Sequence, residues 1–158
     1  MTAGVEAVWP ALSALVVSVV SAVTQVVPIE AYLAALGLVA GGAGTWVVAA
    51  LAGLGHALGK LVWYEVGRAA HSWERYRRWL ERPRVRASYA RWLRAFADRP
   101  RLVLLMLAAS AVVGVPPLAV TPTVAGHLGV GRSLTFAVIA VGRTLRFAAV
   151  LGAVHLVV

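Results

Sequence analysis

The 158-residue chain contains no cysteine, which excludes a disulfide framework, a thiolate nucleophile and thiolate metal ligands. Charge is scarce: Asp, Glu, Lys and Arg make up 13% of the residues, against about 25% in ordinary soluble domains. Acid is scarcer still, with six carboxylates against fifteen Lys and Arg side chains. The four histidines, His56, His71, His127 and His155, have no metal-ligand spacing, and no third member backs a Ser–His pair. Soluble-type enzyme chemistry is therefore not expected, and neither is a cofactor or metal.

Apolar residues fill the space that charge leaves. They make up 61% of the chain, against about 45–50% in globular proteins. Glu6 to Glu30, Glu30 to Lys60 and Arg101 to Arg132 each enclose more than 20 uncharged residues. A helix crosses a bilayer core with about 20 apolar residues, and in lipid a helix satisfies its own backbone. The composition is that of a single all-α integral membrane domain covering residues 1–158. The first basic residue is Lys60, so the N-terminal run reads as a retained helix and not a signal peptide.

Along the chain, residues 7–27 form a first expected span. Pro28 then opens a short apolar piece that ends at Gly37, with Gly41, Gly42 and Gly44 beyond it. A helix too short to span, followed by glycines, fits a re-entrant hairpin. Thr45 to Val66 is a second expected span, with Gly55 and Gly59 spaced for close helix packing. Residues 68–101 hold eleven arginines against Glu74, Glu81 and Asp98. Tyr89, Trp92 and Phe96, and likewise Trp73, Tyr76 and Leu80, fall on one helical face. This segment reads as a basic amphipathic stretch on the cytoplasmic leaflet, facing anionic headgroups. Nucleic acid is not expected. Residues 102–126 repeat the short-helix pattern, broken by Gly114, Pro116 and Pro117 and closing at Gly126. Arg132 to Val158 is the third span. The two hairpins share a spacing, since Pro28 precedes Gly37 by nine residues and Pro117 precedes Gly126 by nine. Broken helices in corresponding halves point to a transport site at the bilayer midplane. The expected units are 28–67, 68–101 and 102–158.

Within the last span stand Arg143 and Arg146. If the helix starts at Arg132, Arg143 lies about 16 Å along it, near the bilayer middle. An arginine there costs about 2.5–3.5 kcal/mol on insertion scales, so it is expected to be paired and functional. Glu30 is the obvious acidic partner; Glu65 is another candidate, with Arg68 at i+3 as its alternative partner. Glu30 neutralises one charge, whereas Arg143, Arg146 and Lys60 are all positive. A positive surplus inside a membrane calls for an anion, and guanidinium binds phosphate bidentately.

At these residues the chain resembles the DedA, or VTT-domain, membrane proteins. Gly59–Arg68, GKLVWYEVGR, is similar to that family's Gly-Asp/Asn-x-x-x-Tyr-x-x-Gly-Arg stretch. Gly114–Gly126, GVPPLAVTPTVAG, with Phe136 and GRTLRF at Gly142–Phe147, resembles its second hairpin and following helix. Val27–Glu30, VPIE, is similar to the opening of its first hairpin, though Ile29 stands where the family has a second proline. Lys60 stands where many members carry Asp or Asn. The resemblance implies two opposed re-entrant hairpins with acidic and arginine residues at midplane. It implies movement of phosphate-bearing lipids such as phospholipids or undecaprenyl phosphate between leaflets, envelope homeostasis, and in some members a link to the proton gradient. The charge pattern points to Glu30, Arg143, Arg146 and Lys60 as site residues, and the resemblance adds Tyr64 and Arg68 in support. Expected partners are membrane lipids in the cytoplasmic membrane; a homo-oligomer stays open. A small-solute or ion transporter and a structural membrane subunit are the competing readings.

Overall fold

The structure, a computed structural model, describes residues 2–38, 44–75, 78, 81, 83, 96, 99–115, 118 and 120–157. Every regular element among them is helical. In chain order these are α1 (Thr2–Thr24), α2 (Ile29–Gly37), α3 (Thr45–Ala69), a 3₁₀ turn at Ala70–Ser72, α4 (Pro100–Val112), α5 (Thr121–His127) and α6 (Arg132–Val157). Two helices among the described residues, α3 and α6, are long and apolar enough to cross a membrane. The expected first span is α1, whose apolar stretch Val8–Thr24 is shorter than these two.

The long pair runs antiparallel. Gly53 of α3 lies against Thr144 of α6, and toward the other end Glu65 meets Arg132 at 3.4 Å. The expected Glu65–Arg68 pair is thus replaced by a contact across helices. Tyr64 donates to the Val130 carbonyl at 2.6 Å and ties the start of α6 to the same end.

α1 runs beside α3 in the same direction. Ala11 and Ala14 pack in one cluster with Val48, Ala49 and Ala52. Farther along, a side chain on Gly55 would collide with the Leu15 carbonyl, and one on Gly59 with Val19 and Ala22. Glycine at these two positions lets the backbones meet, as the small-residue spacing predicts. α1 ends beside the middle of α3. Gln25, in the left-handed region at φ 59°, and Pro28 then turn the chain. α2 folds back on α1, where Tyr32 donates to the Ser13 hydroxyl at 2.8 Å. At its far end Gly37 fits against Leu151 of α6. The first hairpin therefore differs from the sequence expectation: its arms are α1 and α2, and its turn lies at residues 25–28. The left-handed Gln25 has no compositional signal, whereas the later glycines do, and so the sequence points past the true turn. Gly41 and Gly42 lie outside the described residues.

The second hairpin has the same plan from the opposite end. Val103, Leu107 and Ala111 of α4 pack with Ile139 and Ala140, along the first half of α6. The chain turns after Gly114, whose φ of 92° suits glycine. α5 returns, and Thr121 donates to the Ser110 hydroxyl at 3.2 Å. α5 then presses on α3 so closely that a side chain on Gly67 would strike the Thr123 carbonyl and one on Gly126 the Tyr64 carbonyl. Pro116 and Pro117 lie outside the described residues, as does most of the arginine-rich segment. Within that segment, Glu74 and Arg78 form an exposed ion pair at 3.4 Å.

Candidate anion site between the hairpin turns

The two turns meet halfway along α3 and α6, around a pocket of about 320 Å³. The first hairpin supplies Pro28 and Glu30, α3 supplies His56 and Lys60, α6 supplies Arg143, and the second hairpin supplies Leu118. Gln25 and Val26 also line it, and Val26 is 82% exposed, so the rim is open at the turn of the first hairpin.

Four expected site residues converge here. Glu30 stands in the first turn of α2, where helix geometry favours a carboxylate. Its Oε1 accepts from Arg146 Nε at 3.0 Å and is reached by Arg143 Nη1 at 3.4 Å. One carboxylate thus serves two guanidinium groups. Arg143 is 8% exposed and Lys60 3% exposed. Charges this deep are held only by specific partners.

Two of the cations have such partners in the backbone. Lys60 donates to the Ala22 carbonyl at 2.9 Å, and Trp63 donates to the same oxygen at 3.2 Å. That oxygen is one of the last carbonyls of α1, which lack intrahelical donors. Arg146 Nη1 donates to the Val112 and Val113 carbonyls at 3.1 and 2.7 Å, at the end of α4. In each half, a cation of the long helix caps the first arm of its own hairpin. The partial negative charge of a helix C-terminus favours this. Gly114 belongs to the same arrangement, since a side chain there would crowd the Arg146 guanidinium.

Arg143 has no such cap. Its Nε is buried without a hydrogen-bond partner among the described residues, and its guanidinium lies 5.7 Å from the centre of the Phe147 ring. His56 meets the same ring edge-on, at 5.9 Å and 77°. Phe147 is fully buried and holds both side chains at the pocket wall. Each hairpin turn brings one helix C-terminus and one N-terminus together, so their end charges oppose each other. The formal count is then three cations against Glu30, a surplus of two. A buried surplus of this sign is suited to an anion with several oxygen acceptors.

Tyr64 and Arg68, expected at the site, lie along α3 from it. Tyr64 fastens the start of α6, and Arg68 is exposed near the end of α3, its backbone N–H beside Gly126. Pro28 borders the pocket; Gly37 and Gly126 serve packing. His56, Phe147 and Leu118 were not expected at the site. His56 and Lys60 are four residues apart on α3, the spacing of one helix face, and this is the signal that could have found His56. Leu118 had none, because only the fold brings the second turn to the first. No family model, no curated protein and no solved structure matches this chain.

Proposed function

We propose that the chain moves a phosphate-bearing lipid, such as a phospholipid or a polyprenyl phosphate, between membrane leaflets. α3 and α6 are the spans in this reading, and the hairpins α1–α2 and α4–α5 are re-entrant from opposite faces. The observation that carries it is the open-rimmed pocket with a buried cation surplus, halfway along two helices long enough to span. An arginine that shares its one carboxylate with a second arginine is costly at that depth, and in lipid the abundant oxyanion is a headgroup phosphate. The pocket volume is at the small end of ligand sites, which suits a headgroup with its acyl chains left in the bilayer.

The positive-inside rule puts residues 68–101 on the cytoplasmic side of the cell membrane. The α1–α2 hairpin then enters from the opposite face and the α4–α5 hairpin from the cytoplasmic face. In this reading the start of α1 lies on the outer side, because α1 turns back beside the middle of α3. Broken helices at the midplane are the usual place for a transported anion. The DedA-like motifs in the sequence agree with this proposal.

The test is the movement of labelled phosphatidylglycerol in liposomes holding the purified protein. Arg143→Ala, compared as protein that reconstitutes folded, is expected to slow it at least tenfold. Equal rates in the two proteins contradict the proposal. Passage of a small anion without lipid movement favours the solute-transporter reading.

A further inference from the structure

The sequence offers His56 no second histidine at metal-ligand spacing. Its surroundings give it a different role. Both ring nitrogens are buried and have no hydrogen-bond partner among the described residues. The residue is 4% exposed, it lines the pocket, and Phe147 packs on its ring at 5.9 Å and 77°. A buried polar group left unsatisfied costs about 1–3 kcal/mol, so folded proteins seldom keep one. A second orphan belongs to the same pocket, because Arg143 Nε is also without a partner among the described residues and its guanidinium lies against the same Phe147 ring. A phenylalanine or leucine would fill the position of His56 with no orphan at all.

We infer that His56 is a neutral hydrogen-bond donor to the phosphate that occupies this pocket, working beside Arg143. A neutral imidazole has one N–H donor and one acceptor nitrogen. The unpartnered N–H at the pocket wall is the donor assigned to a phosphate oxygen. The acceptor nitrogen is available to an ammonium, and Lys60 stands one helical turn further on α3 with donors beyond the one given to Ala22. The imidazole thereby adds a directed hydrogen bond without adding a third uncompensated charge. This inference rests on the phosphate reading above and names one of its contacts.

The experiment uses the purified full chain in detergent and three probes: dihexanoyl-phosphatidylglycerol, inorganic phosphate, and a diacylglycerol lacking phosphate. The wild type is expected to bind the short-chain phospholipid and not the diacylglycerol. His56→Phe is expected to bind the phospholipid about tenfold more weakly and to melt no lower than wild type, since the orphan nitrogens are gone. His56→Gln keeps a donor and is expected to stay within about threefold of wild type. Binding to inorganic phosphate alone keeps the role of His56, provided His56→Phe weakens it likewise, and makes the source a soluble anion. Equal phospholipid affinity in wild type and His56→Phe overturns the inference and leaves the lipid reading standing. A wild type that binds no phosphate-bearing probe overturns both. Nitrogen resonances of the His56 ring in the wild type give a readout that needs no folded variant for the contact itself: a shift on adding phospholipid is expected, and their constancy under saturating probe contradicts the contact.

Discussion

The two halves of the molecule, α1–α2–α3 and α4–α5–α6, share one scaffold and divide the chemistry between them. In both, a short hairpin ends beside the middle of a long helix. In both, a cation of that long helix caps the hairpin's first arm: Lys60 on Ala22, Arg146 on Val112 and Val113. The halves differ in where acid is found. The first hairpin brings Glu30 to the meeting point, whereas the sequence from Leu102 to Gly131 has no charged residue. Glu30 therefore reaches out of its own half to both arginines of the other. The shared features hold the turns in place. The unshared ones, Glu30, His56 and Arg143, make the pocket.

The largest expected effects come from breaking the scaffold in either half. Gly126→Leu forces α5 off α3, and Gly55→Leu forces α1 off α3. Overpacking against backbone leaves no soft neighbour to move, so each is expected to cost about 3 kcal/mol or more. Thermal unfolding in detergent checks both, and a change below 1 kcal/mol in either breaks the parallel.

The two caps come next and are expected to differ. Arg146→Leu strips two carbonyls and removes one partner of Glu30, at a cost of about 2–4 kcal/mol. Lys60→Met strips one carbonyl that keeps Trp63, at a cost of about 1–2 kcal/mol. Hydrogen exchange localises the loss, to α4 in the first variant and to α1 in the second. Equal losses, or losses in the other hairpin, contradict the assignment of each cap to its own half.

The turns give a smaller effect, of opposite sign in the two halves. Gln25 has a positive φ without being glycine, so Gln25→Gly is expected to stabilise by about 1 kcal/mol. Gly114→Ala meets the same backbone penalty in reverse, with the Arg146 guanidinium crowding the new methyl, and is expected to destabilise by about 1–2 kcal/mol. Melting temperatures that move in the same direction in both variants contradict this.

The smallest effect belongs to the surface. Glu65 and Arg132 form a partly exposed pair at 3.4 Å, so Glu65→Gln is expected to cost no more than about 1 kcal/mol, less in high salt.

The sequence was most legible where chemistry is costly. Arg143, Arg146 and Glu30 stand out because charge in an apolar run has to be compensated, and that rule points to their pairing. The helix breaks at Pro28 and Gly114 were legible for a similar reason, since proline and glycine limit the backbone directly. What escaped depends on tertiary contact. Nothing local states that α1 halts beside Lys60, because the turn uses a glutamine in a conformation usually left to glycine. The cap roles of Lys60 and Arg146 depend on carbonyls 38 and 33–34 residues away. Those contacts divide the cations into two that cap the hairpin arms and one, Arg143, that caps neither.

The most direct measurement is photo-crosslinking, in liposomes, of a phosphatidylglycerol that carries a photoreactive group on its headgroup, with the adducts mapped by mass spectrometry. Adducts are expected at the turn of the first hairpin, residues 25–30, and around Leu118, and are expected to be lost in Arg143→Ala. Adducts confined to the exposed face of α1 around Trp9 and Leu12, unchanged by Arg143→Ala, would contradict a phosphate site between the hairpin turns.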